Sequence, residues 1–233
     1  MSLVDVIQLS YDEPNADANF RKLTEICPWA MRVKGVKGIQ NAHEAVADTA
    51  HTEFFYVVDG DNEVLDTFNF DDPIPPHYNK WIHVWKSRNS VNGLEYGNGG
   101  VKLMTKSLVL KLDKTLPDYT TSVQGLNHFH DQVASINRFN SDPFRAWRAA
   151  FRECAKLSSR VISGSVDSET EERLTIWRNI GGTEEFGKYV LEGAEFGAEY
   201  GGLYRNDLKK MVKINDFNWL KKQFIKQYPD VLV

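Results

Sequence analysis

An α/β fold is predicted for this chain of 233 residues, with a sheet built mostly before residue 130 and helices from about Asp142 onward. Three observations carry that prediction. Phe54 to Val58 is an unbroken run of aromatic and β-branched residues, the composition of a central strand buried on both faces. Just before it, Ile39, Ala42, Val46, Thr49 and Ala50 recur at spacings of three and four, the period of one helical stripe. After Asp142, apolar and charged residues alternate at that same period for most of the remaining length.

Taken in order, Val4 to Ser10 reads as a short apolar strand followed by a polar loop from Tyr11 to Asn19. The helix over 39–50 begins after the glycine-bearing turn Gly35 to Gly38 and leads through His51 to Glu53 into the strand at Phe54. Asn69 to Asn79, with Asp71, Asp72, Pro73, Pro75 and Pro76, reads as a rigid non-helical connector. Trp81 to Met104 reads as two strands around a polar hairpin-like loop, with Gly93, Gly97, Gly99 and Gly100 permitting close backbone approach. Candidate helices follow near 142–163, 167–179, 184–196 and 215–227, the last opened by Asn215 and Asp216 and closed before Pro229. A single domain over 1–233 is expected, with 1–130 as the sheet region and 131–233 as the mainly helical part.

The composition is that of a globular chain, 42% hydrophobic and 26% charged. A net charge of -4 argues against indiscriminate nucleic-acid binding, though a local basic patch can still serve. Cys27 and Cys154 are too few for a disulfide framework or a zinc cluster. No segment approaches the roughly 20 apolar residues that span a bilayer. A cytoplasmic protein with free thiols and no membrane partner is therefore expected.

The strand at Phe54 ends in Asp59-Gly60-Asp61, so two carboxylates reach the carboxyl end of a strand, where open α/β sheets bind ligands. Hard oxygen ligands there suit Mg²⁺ or Mn²⁺ against a diphosphate; the same tripeptide also makes ordinary turns. In the helix from Asp142, Arg145, Arg148, Arg152, Lys156 and Arg160 form one side and Phe144, Trp147, Phe151, Cys154 and Leu157 the other. Five aligned cations can act as a ladder for DNA phosphates, or as a solvated face paired with nearby acids. In Asn127-His-Phe-His-Asp131, a strand would put His128 and His130 on one face.

The stretch GIQNAHEAVADTAHTEFFYVVDGDN resembles the nucleotide-sugar half of GT-A glycosyltransferases, in which a helix bearing an Asn precedes a strand capped by a D-x-D motif. That resemblance implies a GT-A-like, single Rossmann-type mixed sheet flanked by helices, with a helical C-terminal part, and a UDP-sugar donor. It makes Asp59, Gly60 and Asp61 the metal and diphosphate turn, with Mn²⁺ or Mg²⁺ as cofactor, and Asn41 a donor contact. Gln40 stands where many relatives carry Arg, so Lys37 or Lys34 is expected to substitute. It further implies Leu9, Ser10, Tyr11 and Asp12 as nucleoside contacts and Tyr96, Asn98, Gly99 and Gly100 as donor-sugar contacts, although those glycines can equally relieve a tight bend. One of His128 and His130 would complete the metal shell. An inverting enzyme needs a carboxylate base, for which Asp131 comes first and Asp118 and Glu95 follow; a retaining one can dispense with it.

The segments RFNSDPFRAWRAAFRECAKLSS, VNGLEYGNGGVKL and INDFNWL are similar to a group of bacteriophage glycosyltransferase-like proteins. The similarity implies a hydroxyl of hydroxymethylcytosine, bare or glycosylated, in phage DNA as acceptor, and the host-cell cytoplasm as location. Transfer to a protein or glycan, and a non-catalytic DNA-binding or inhibitor protein on the same scaffold, are the alternatives.

Overall fold

The apolar run at Phe54 becomes a central strand. In the computed structural model, which describes residues 4–71, 80–111, 113, 126–160 and 167–232, the chain separates into two compact units. The first holds β1 (Asp5–Ser10), α1 (Ala16–Ile26), β2 (Met31–Lys34), α2 (Ile39–Thr49), β3 (Phe54–Asp59), β4 (Asn62–Val64), β5 (Trp81–Asn89), β6 (Glu95–Thr105), α3 (Lys106–Val109) and β7 (Leu126–Asn137). The second comprises Ser90–Leu94 and the described residues from Phe139 on. Residues 72–79 of the expected connector, Asp118, and the expected helix tail at 161–163 lie outside the described residues.

Among the described residues one mixed sheet of seven strands runs in the order β2-β1-β3-β6-β5-β7-β4. β1 is parallel to both β2 and β3, and β6 runs against β3 and β5. Because register partners share a face, Tyr56, Leu103 and His83 lie on one side, and Val57, Lys102 and Val84 on the other. The first side is sealed by α1. Leu23 and Cys27 pack there with Tyr56, Val58, Trp85 and Phe68, and burial pushes the Cys27 thiol up to about 12. α2 packs beside β1 and β2 and carries His43, which is buried near Lys102.

The strand containing the histidines continues to Asn137, beyond the expected limit of the sheet region at residue 130. α1 starts at Ala16 inside the stretch expected as loop, because Leu23 and Cys27 supply its buried stripe.

In the second unit, α4 (Pro143–Ser159) starts where expected, with the Asp142 carboxylate accepting from the Arg145 amide at 2.7 Å and Pro143 in the first turn. It stops at Arg160, which adopts a left-handed φ of 61°. α5 spans Asp167–Asn179 as expected. α6 spans Gly187–Leu203 and so runs past the expected end at 196. Its glycines look like helix breakers in sequence, yet Gly193, Gly197 and Gly201 form a stripe against α4. A Cβ on them would lie 2.4, 2.2 and 2.2 Å from the carbonyl oxygens of Trp147, Phe151 and Ala155. That close approach offsets the low helix propensity of glycine. α7 (Leu208–Met211), a 3₁₀ turn (Val212–Asn215) and α8 (Phe217–Gln227) complete the unit, the last capped by Asp216 at 3.0 Å from the Trp219 amide. Trp147, Phe151, Ile214, Leu220 and Phe224 make its second core.

Candidate functional site

The carboxyl ends of β1 and β3 lie side by side, with Leu9 in register with Asp59. The Gly60 amide donates to the Leu9 carbonyl at 2.8 Å, and the Gly60 carbonyl accepts from Asn19 Nδ2 at 2.9 Å. A Cβ at Gly60 would sit 2.7 Å from Ser10 Cβ, so only glycine lets the acidic turn fold against the end of β1. This edge therefore gathers Ser10, Tyr11, Asp12, Lys34 and Asp59. Tyr11 is 40% exposed and Asp12 is exposed, both able to meet a ligand from solvent.

Asp59 does not stand alone. Lys102 on β6, whose side chain is 4% exposed, donates from Nζ to Asp59 Oδ1 at 2.8 Å and to the Gly99 carbonyl at 2.6 Å. Gly99 has a φ of +85°, a left-handed conformation that L side chains rarely adopt. Two acceptors stabilise an ammonium that would otherwise be costly to bury. Its charge, added to burial, drives the His43 imidazole well below its ordinary pKa, burial being the larger cause. His43 Nδ1 lies 2.8 Å from the Ile39 carbonyl; a neutral ring therefore donates from Nδ1. Neither Lys102 nor His43 was marked by the sequence. A lysine inside the apolar strand GGVKLM is the signal that could have found the first.

Asp61 is oriented by Asn62, whose Nδ2 donates to Asp61 Oδ1 at 2.8 Å. Asn62 is buried, and its Oδ1 accepts from Ser135 Oγ at 2.8 Å, which in turn lies 2.7 Å from Ser87 Oγ. Gly100 packs on this amide: a Cβ there would lie 2.2 Å from Asn62 Oδ1. Gly99 and Gly100 thus belong to the same edge as Asp59, Gly99 as a left-handed turn residue and Gly100 as a close contact of Asn62. The Asn98 carboxamide accepts from the Gly100 amide at 2.8 Å, and Tyr96 is buried at 7% exposure. Ser10 Oγ accepts from Arg32 Nε and Nη2, both at 3.3 Å, and Arg32 is tied to Asp17 at 2.5 Å. Lys37 and Asn41 are exposed around the first turn of α2, with Asn41 Nδ2 donating to the Lys37 carbonyl at 3.2 Å.

The histidines are not brought to Asp59. His83 pairs with His128 across β5 and β7, and Trp85 with His130, all on the sheet face that carries Tyr56. Lys102 and Asp59 occupy the opposite face. His83 Nδ1 lies 2.9 Å from His130 Nε2, and Trp85 stacks on His130 with centroids 4.4 Å apart. Burial, then the neighbouring His128, lowers the His130 pKa. His83 is the partner that the sequence did not reveal.

The metal shell expected from the sequence does not assemble around the acidic turn. Asp59 Oδ1 already holds an ammonium, Asp61 Oδ1 holds an amide, and the expected imidazole ligands lie across the sheet. Among the described residues no three His, Cys, Asp or Glu side chains converge as a metal site. Asp131 is fully exposed and paired with Lys86 at 2.7 Å, which lowers its carboxyl pKa. Glu95 is paired with Arg88 at 2.7 Å.

The five cations of α4 have partners within the second unit. Arg145 pairs with Asp142, Lys156 with Glu153 at 3.2 Å, and Arg160 with Glu171 at 2.5 Å. Arg148 is 9% exposed, with its guanidinium 4.1 Å from the Phe217 ring centroid. Arg152 donates to the Ile214 carbonyl at 3.0 Å and to Asn215 Oδ1 at 2.9 Å.

No family model matches the chain, and no curated protein matches it. Among solved structures it is similar to a glycosyltransferase involved in the glycosylation of the major capsid of PBCV-1, with 16% identity and a TM-score of 0.40 over 61% of this chain and 98% of that one. Among the described residues no helix is long and apolar enough to cross a membrane.

Proposed function

We propose that this protein is a glycosyltransferase that moves a sugar from a UDP-sugar to a hydroxyl acceptor. The observation that carries the reading is the Asp59 and Lys102 pair at the carboxyl edge of β3, directly beside the end of β1. That edge is where an open α/β sheet receives a phosphorylated ligand. Exposed Tyr11 offers a ring for a base, Asp12 an acceptor for ribose or uracil, and Lys102 a positive charge for the diphosphate. Gly99, where an added Cβ would meet no atom within 4 Å, leaves the backbone open for close approach of the sugar.

The proposed acceptor is a hydroxyl of hydroxymethylcytosine, bare or glycosylated, in phage DNA, and it rests on the likeness of the sequence. The α4 cations expected to meet DNA phosphates each have an internal partner. Transfer to a protein or glycan keeps the same donor site.

Incubating the protein with UDP-sugars and hydroxymethylcytosine DNA, with and without Mn²⁺, and weighing the digested nucleosides by mass spectrometry tests the reading. An added hexose or pentose is expected, with turnover lost in the Asp59→Asn, Asp61→Asn double variant. No added mass, and no UDP released to any acceptor under either condition, would remove transferase activity from the account.

A further inference from the structure

We infer that the cation serving this donor site is the Lys102 ammonium rather than a divalent metal; the inference rests on the UDP-sugar reading above. A metal at an acidic turn neutralises a diphosphate while one or two carboxylates, water and the phosphates fill its shell. Here the position against Asp59 Oδ1 is already filled by a positive charge built into β6, at 2.8 Å. Lys102 is 4% exposed and held by two acceptors, so that oxygen already faces a cation. A divalent ion beside a buried ammonium would meet repulsion with little screening.

The surroundings fit that assignment. The Gly99 carbonyl fixes Nζ from the other side at 2.6 Å, and the left-handed Gly99 is what turns that carbonyl toward it. His43, the titratable neighbour on α2, is buried and held neutral, so it adds no second positive charge beside Lys102. The imidazoles expected in a metal shell, His128 and His130, belong to the opposite face of the sheet.

During transfer the bond from the anomeric carbon to the diphosphate oxygen breaks, and its electron pair stays on that oxygen. The acceptor oxygen forms the new bond to the same carbon, and its proton passes to water. Lys102 Nζ shifts one of its hydrogen bonds from Asp59 or Gly99 to the departing oxygen, meeting charge where it develops.

Calorimetric titration with UDP, in EDTA and then in excess MnCl₂, tests the inference on the wild-type protein. UDP is expected to bind within about two-fold equally in both, while Lys102→Met weakens UDP by about ten-fold or more and leaves uridine within about two-fold. The Lys102→Met, Asp59→Asn double variant removes both charges together and guards against a folding defect from the unpaired carboxylate. UDP binding that needs Mn²⁺ by about ten-fold or more overturns the inference and leaves the donor site standing. No UDP binding in either buffer overturns the donor site itself and the inference with it.

Discussion

Two segments of this chain carry charge in a pattern that points to phosphate: the acidic turn after β3 and the cationic side of α4. They end differently. At the turn, the neighbouring strand supplies one buried lysine, and Asp59 keeps 36% of its side chain exposed beside exposed Tyr11 and Asp12. On α4, the neighbours consume the charge. The segment Ile214 to Phe217 takes Arg148 and Arg152, and Asp142, Glu153 and Glu171 take the other three. Periodicity identifies a face; what the rest of the fold lays against that face decides whether its charge is left for a ligand.

Reversing a charge on α4 should have the largest effect. Arg148 lies under Phe217 and within 5.5 Å of the Phe144 ring centroid, so Arg148→Glu places a carboxylate against two ring faces. We expect a loss of about 3 kcal/mol or more of stability, read by urea unfolding. DNA retention at a fixed salt concentration should follow only the fraction folded. A variant that unfolds like wild type but releases DNA with a shallower salt dependence would return this helix to the phosphate ladder first read from its sequence.

At the turn, the expected effects are smaller and differ between adjacent residues. Gly100→Ala drives a Cβ to 2.2 Å from Asn62 Oδ1, and Asn62 cannot retreat because Ser135 and Asp61 both hold it. A cost of about 1–3 kcal/mol is expected. Gly99→Ala meets no atom within 4 Å but must hold a φ of +85°, which costs about 1 kcal/mol. Thermal melts of the two variants separate crowding from backbone strain. Equal costs would mean that the Asn62 side chain yields, and that Asp61 is less firmly oriented than its hydrogen bond indicates.

The α/β class, the central strand, the hairpin from Trp81, the starts of α4 and α8, and the full extent of α5 were legible because each has a local cause: β-branched runs, a capping aspartate, a helical period. α6 runs past its expected end at 196 because what carries it on is not local: Gly193, Gly197 and Gly201 pack on the carbonyls of Trp147, Phe151 and Ala155, each 46 residues away in sequence. The site shows the same limit. Asp59, Gly60 and Gly100 could be marked from their own segments, whereas Lys102, Asn62 and His83 gain their roles only through strand register. Register also sends the histidines to the far face. A one-residue shift in pairing would have reversed that outcome, and nothing in Asn127 to Asp131 alone specifies it.

Titration offers the finest test, because His43 and His130 sit on opposite faces of the sheet and both are held below their ordinary pKa. Burial is the larger cause for each, joined by Lys102 at His43 and by His128 at His130. The folded state therefore prefers both rings neutral. As pH falls through the unfolded value near 6.5, the unfolded chain takes up protons first, so stability is full above that pH and declines below it. The carboxylates of Asp17, Glu63 and Asp216, lowered mainly by Arg32, Lys22 and the Trp219 amide respectively, add their own loss only below about pH 4.5. Between about pH 6.5 and 5 the histidines should dominate, each contributing a slope of at most about 1.4 kcal/mol per pH unit. His43→Gln keeps a donor for the Ile39 carbonyl and removes the titration, so urea unfolding across that window should become flatter. His130→Gln should flatten it less, since that ring is only partly buried. If His43→Gln leaves the slope unchanged, the ring beside Lys102 is not held neutral, and Lys102 is not the one positive charge placed against Asp59 from that side.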